Sequence, residues 1–234
     1  MTTAVLPVSI GRKSCFVLLL CSESGGGHVD IVCSDCQAVR DMIRTATTSR
    51  ERILTAGFTL FGRYGFRRTS MEDIASEAGL SRAALYLQFR NKEEIFRELA
   101  ADLHEGALSQ AEAALGTQDS LPERLRSAVE AKTLRMIDIG HHSPHGSELM
   151  DEKNRLCGDL AIDSEKRFQR MLTRAFKRAD EGPEIDLRAS GLSASEAAEL
   201  FARAVDGLKS AEIATDTYRK RVASFAKLFV AGLS

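Results

Sequence analysis

Between residues 42 and 90 the chain carries eight arginines (Arg44, Arg50, Arg52, Arg63, Arg67, Arg68, Arg82 and Arg90) against four acids (Glu51, Glu72, Asp73 and Glu77). That is a local excess of +4 in a chain whose formal net charge is −1. Guanidiniums gathered in this way can neutralise phosphates, and one of them can bond two acceptors on a single base edge. Two other groups of residues could do chemistry. His141, His142 and His145 with Glu148 could hold a divalent metal, and Cys21, His28, Cys33 and Cys36 include one CxxC of the zinc-site type. The histidines sit in a Ser-Pro-Gly break and read as solvated loop residues, and the cysteine set rests on a single CxxC. No metal and no cofactor are therefore expected. The sequence has no nucleophile motif, phosphate loop or H-E-x-x-H pattern, so catalysis is not expected either. A small metal-dependent hydrolase built on the three histidines is the enzymatic alternative.

The arginines are carried by unusual elements. In "TSMEDIASEAGLSRAALYLQFRNKEE", residues 69 to 94, a polar cap, a short helix and a glycine are followed by a second cap and a second short helix. Thr69-x-x-Glu72 reads as a capping box, Gly79 as a helix stop, and Ser81 and Asn91 as the caps of the next two helices. Helices of about eight residues are not stable alone in water, so these two must pack on a neighbour. The preceding segment supplies one. Thr48 or Ser49 caps a helix with Ile53, Ala56, Phe58 and Phe61 on one face, and Gly65 ends it. Two short helices across a tight glycine turn, packed on a third, make a helix-turn-helix, which places its second helix in a DNA major groove.

The rest of the chain after Met42 also reads as helical. Ser120-x-x-Glu123 opens a helix to about Ile139, and a long polar-rich helix or helix pair covers roughly 146 to 180. "DEGPEIDLRASGL" reads as a surface loop. Ser193-x-x-Glu196 opens another helix, and Asp216 opens the last. The expected fold is all-α, with about nine helices after Met42.

Residues 1–41 differ from this body. They hold Cys15, Cys21, Cys33 and Cys36, whereas Cys157 is the only cysteine that follows. A lone cysteine excludes a disulfide framework for the body and points to a reducing compartment, the cytoplasm. The apolar run Cys15–Cys21 is at the lower limit for a signal segment and too short to span a bilayer. Residues 1–41 are expected to be a disordered extension, or a non-native one if translation starts at Met42.

"ILTAGFTLFGRYGFRRTSMEDIASEAGLSRAALYLQFRNKEEIF" closely resembles the DNA-binding region of the TetR/AcrR (tetracycline-repressor) family of bacterial transcription regulators. The resemblance rests on Ile53-Leu54-x-Ala56, Phe61, Gly65-Phe66 and Thr69-Ser70-Met71-x-x-Ile74-Ala75. It continues through Ala78-Gly79-Leu80-Ser81, Leu85-Tyr86-x-x-Phe89 and Lys92-Glu93-Glu94. It implies a three-helix DNA-binding domain at 42–92 and a helical effector-binding and dimerisation domain at 93–234. It also implies that Arg82, Ala83 and Ala84 lie at the base edges and that Tyr86 touches the backbone or a thymine. Thr69, Ser81 and Lys92 would meet phosphate at helix N-termini, with Arg44, Arg50, Arg67 and Arg68 adding phosphate contacts. Gln88 stands where the family often has His, and its amide can still donate to phosphate.

The implied partners are double-stranded operator DNA, an unknown small-molecule effector and a second copy of the chain, with no membrane. The candidate pocket residues are Leu103, Leu125, Val129, Met136, Phe168, Met171 and Leu172. The candidate dimer face combines Leu200, Phe201, Val205 and Leu208 with Tyr218, Val222, Phe225 and Phe229 on the last two helices. The expected function is a ligand-responsive repressor that binds a palindromic operator as a homodimer. An effector-free DNA-binding protein is the other alternative to it.

Overall fold

The computed structural model describes residues 4–10, 13–19, 48–209 and 213–233. Among them are nine helices: α1 (Ser49–Tyr64), α2 (Met71–Glu77), α3 (Arg82–Tyr86), α4 (Lys92–Leu115), α5 (Leu121–His142), α6 (Gly146–Asp180), α7 (Leu187–Ser190), α8 (Ala194–Gly207) and α9 (Thr215–Ala231). The all-α reading of the body holds. One hairpin precedes it: β1 (Ala4–Ile10) pairs antiparallel with β2 (Lys13–Leu19), Val8 facing Cys15 and Leu6 facing Val17. These apolar and β-branched runs suit a pleated pairing. The extension was read as disordered, without this hairpin. The zinc set Cys21, His28, Cys33 and Cys36 lies outside the described residues, as does Arg44.

The chain divides into two compact units. The first takes in residues up to Leu103 together with Ile139–Gly158, and the second takes in His104–Asp138 and residues from Asp159 onward. From sequence the division was expected at residue 92, with 139–158 in the effector half. Helical periodicity cannot show that the start of α6 joins the DNA-binding half.

The first unit is built on Ile53, Leu54, Phe61, Phe66, Ile74, Leu85, Phe89, Ile95 and Leu99, with Leu149 from α6 in the same core. Phe61, Phe66 and Phe96 pack as an aromatic triangle with centroids 5.2 to 5.7 Å apart. Helices α1 and α4 approach closely at Gly57, where a Cβ would lie 2.8 Å from Cγ2 of Ile95. Helix α6 departs from helical geometry at Cys157 (φ −129°, ψ 21°). Arg97 of α4 donates to the carbonyl of Leu156 beside this kink. A donor inserted into the backbone ladder is a recognised cause of such bends.

The core of the second unit includes Leu108, Leu121, Phe176 and Ala197. It also contains four of the expected dimer residues, Phe201, Val205, Tyr218 and Val222, which are buried. Their stripe seats α8 and α9 on their own domain, so they are corrected from interface to core. Leu200 and Leu228 are exposed, and Leu208, Phe225 and Phe229 are half-buried. Five of the expected pocket residues, Leu125, Val129, Phe168, Met171 and Leu172, are likewise in the core, while Met136 is half-buried. Leu103 is half-buried in the first unit.

Two local expectations are corrected. The capping box before α2 is Ser70 with Asp73, one residue later than Thr69-x-x-Glu72. The segment read as a loop contains α7, capped by Asp186 and closed by Gly191 at φ 69°, because Ile185 and Leu187 are buried. Replacing Ser70 by Ala should lower unfolding stability by about 1 kcal/mol in a denaturant titration. Ser70, through its hydroxyl and then its backbone N–H, holds the Asp73 carboxyl below its ordinary range. That contribution is complete above the unfolded-state value and is lost as pH falls through the lower folded-state one. The Ser70→Ala difference should therefore shrink in acid.

Candidate nucleic-acid interface

Helix α2 ends in a paired-bond turn. Leu80 N–H donates to the Ala75 carbonyl (2.9 Å) and Gly79 N–H to the Ser76 carbonyl (3.1 Å). This places Gly79 at φ 63°, which an L side chain rarely adopts. Arg52 of α1 donates to the carbonyls of Ala78 and Gly79, so a structural arginine finishes the helix end. Ser81 then caps α3 by accepting from Ala84 N–H (3.2 Å). Leu85 and Phe89 are buried, which fixes the opposite side of α3 outward.

That outward side carries Arg82, Ala83, Tyr86, Leu87 and Gln88, all exposed, with Ala84 half-buried. The Arg82 side chain is 66% exposed, 3.7 Å from the Glu72 carboxylate and stacked 5.6 Å from the centroid of the Tyr86 ring. Leu87, 84% exposed, is an unforeseen member of this face. Its signal is present in "LYLQF": of the three apolar residues Leu85, Leu87 and Phe89, only the first and last share a face at i, i+4. Beside α3 lies a groove of about 410 Å³ lined by Arg67, Arg68, Arg82, Arg90 and Lys92 against only Glu72 and Glu93.

Three expected phosphate contacts do other work. Lys92 donates to the carbonyls of Phe66 (2.8 Å), Arg67 (3.1 Å) and Thr69 (2.9 Å), so all three ammonium protons are used. It also lies 4.6 Å from the Phe66 ring centroid. Lys92 therefore ties the α1–α2 turn to the start of α4. Thr69 is buried and donates to the Gly65 carbonyl (2.8 Å). Arg50 is clamped on Glu98 by two hydrogen bonds and covers the Phe89 ring at 4.4 Å. Arg68 is exposed and has no partner among the described residues.

Glu148, expected near the histidines, accepts from Arg67 N–H (2.7 Å) and lies 3.7 Å from His145 Nδ1. Gly65, at φ 85°, leaves room for it: a Cβ there would be 2.6 Å from the Glu148 carboxylate. Burial works to raise the Glu152 carboxyl, but hydrogen bonds from Arg155 and Arg67 leave it below the usual range. The side chains of His141 and His142 lie outside the described residues. Among the described residues, no group of His, Cys, Asp and Glu is placed to hold a metal ion, and no helix is long and apolar enough to cross a membrane.

A five-residue helix held outward beside a cationic groove is the arrangement of a helix-turn-helix head. The family model described as "Bacterial regulatory proteins, tetR family" matches residues 53–99. The transcriptional regulator TtgR of Pseudomonas putida is 28% identical over 180 residues, covering 73% of this chain and 82% of TtgR. A solved transcriptional regulator from Cytophaga hutchinsonii superposes with TM-score 0.65 at 18% identity, covering 78% of this chain and 97% of that one. SmeT, the repressor of the Stenotrophomonas maltophilia efflux pump SmeDEF, gives TM-score 0.56 at 21% identity over 80% of this chain and 91% of SmeT. It has also been solved in complex with triclosan. Residues 53–99 are thus similar to the TetR-family DNA-binding region, and the relatives matched over most of the chain are named transcriptional regulators.

Replacing Lys92 by Met should cost roughly 1–3 kcal/mol of unfolding stability, because three turn carbonyls lose their donor. The salt dependence of DNA binding by the folded fraction should not change.

Proposed function

We propose that this protein is a repressor that binds a palindromic operator as a homodimer and is released when a small molecule enters the second unit. The observation that carries the reading is the exposed α3 face beside the cationic groove. Arg82 would leave Glu72 and bond O6 and N7 of a guanine, which a guanidinium can do in bidentate fashion. Ala83 and Leu87 suit thymine methyls. Tyr86, Gln88 and Ser81 suit the flanking backbone, and Arg67, Arg68 and Arg90 suit phosphates. A two-fold dimer would present two such heads to successive major grooves. Repression is the named role of the fold neighbour SmeT. The exposed Leu200 and Leu228, with the half-buried Phe225 and Phe229, form the apolar surface of α8 and α9 that a second copy would cover. An effector that prefers one arrangement of the two heads would shift the population away from the one that fits DNA.

Selection of bound sites from a random DNA library, with the mass of each complex recorded, tests the whole reading. Two chains on one near-palindrome is the expected result, and binding without sequence preference contradicts it. Arg82→Ala should weaken binding to that site by about 1–3 kcal/mol and relax one base position per half-site. Arg68→Ala should weaken all sequences alike and reduce the log–log salt slope by about one per head. Leu228→Arg, at a side chain 73% exposed, should leave the fold intact and yield monomers in sedimentation.

A further inference from the structure

The second unit contains two cations for which its own residues provide little compensation. Lys132 and Arg135 lie one turn apart on α5. The Lys132 side chain is only 13% exposed, and its carboxylate partner, Glu165, is 3.5 Å away and 46% exposed. Its ammonium also lies 5.8 Å from the Phe168 ring centroid. Arg135 is half-buried and makes no hydrogen bond or ion pair among the described residues. Burial alone pushes its guanidinium below the ordinary range. For Lys132, burial is the larger influence, Lys209 adds to it, and Glu165 and Asp206 oppose it.

The helix facing α5 adds an independent observation. Within the second unit, Arg124 pairs with Glu184, whereas Lys132 meets Glu165 and Phe168. Ser164 lies on α6 beside Glu165 and one turn before Phe168, the two residues that meet Lys132. Ser164 is 2% exposed, and its hydroxyl has no hydrogen-bond partner among the described residues. Buried polar groups are almost always satisfied, so an orphaned hydroxyl next to the residues that meet Lys132 calls for a missing partner. Phe168 and Met171, both largely buried, and half-buried Met136 supply apolar surroundings.

We propose that Lys132, Arg135 and Ser164 form the anion-binding end of the effector site, and that the effector is an apolar monocarboxylate. Arg135 would take the carboxylate in a fork of two hydrogen bonds, Lys132 would add a third charged donor, and the Ser164 hydroxyl would donate to the remaining lone pairs. The apolar body would lie against Phe168 and Met136. A neutral or cationic ligand of the same shape leaves the Arg135 guanidinium unpaired and is disfavoured. The proposal rests on the reading of the second unit as the effector domain.

The test is calorimetric titration of the full chain with decanoate, 1-decanol and decyltrimethylammonium, each below its micellar concentration. Decanoate should bind at least about tenfold more tightly than either control, and Arg135→Gln should remove that preference. A second variant guards against misfolding: Arg135→Met should raise the melting temperature of the unliganded protein, because it removes an uncompensated cation. Equal binding of all three probes, binding of none, an Arg135→Gln protein that retains the preference, or an Arg135→Met protein that melts earlier would each overturn the anion site. Operator release by decanoate is followed in a parallel DNA titration. Decanoate binding without release would refute the effector-release reading and leave the anion site standing.

Discussion

Helix α3 has five residues, and nothing within it could hold it helical in water. Its geometry is therefore imposed from beneath by the burial of Leu85 and Phe89, and at its start by the turn that Gly79 makes possible. The support is layered. Arg52 finishes α2, Lys92 gathers the carbonyls of the α1–α2 turn, and the phenylalanine triangle fills the space between α1 and α4. A face presented on such a support is rigid although the helix carrying it is minimal. Rigid presentation keeps a reading guanidinium from having to be ordered at the moment of binding.

The same residue type serves both the scaffold and the face. Arg50 is committed to Glu98 and Phe89, Arg52 to a helix end, and the Arg67 guanidinium in part to Glu152. Arg68 and Arg82 remain outward, with Arg90 loosely tied to Glu94. A local excess of positive charge thus overstates the number of cations available to phosphate. Lys92 is the clearest case. At a helix start it looks like a phosphate ligand, yet the turn it closes uses every proton it has.

The helix-turn-helix was legible because its signals are local: caps, a glycine stop and apolar residues three and four apart. Ser193 with Glu196 and Thr48 with Glu51 form capping boxes in the structure. The box before α2 was misplaced by one residue because Thr69 and Ser70 are both competent caps. Only the packing of Thr69 against the Gly65 and Leu60 carbonyls decides between them. Helix α7 was not legible, since four residues carry no period. The stripes on α8 and α9 were legible as apolar but not as to what they face. Phe201 and Tyr218 turn inward, while Leu200 and Leu228 turn outward. The allotment of 139–158 to the first unit depends on Leu149, Glu148 and Ser143 meeting partners some eighty residues away in sequence, which no local pattern reports.

The central claim is that the outward side of α3 reads bases in the major groove through Arg82. Methylation interference on a selected site addresses it directly, because a methyl group on guanine N7 blocks a guanidinium there and leaves the phosphates untouched. The account predicts strong interference at one guanine in each half-site, absent from the residual binding of Arg82→Ala. Binding indifferent to N7 methylation, or interference that persists unchanged in Arg82→Ala, would contradict it.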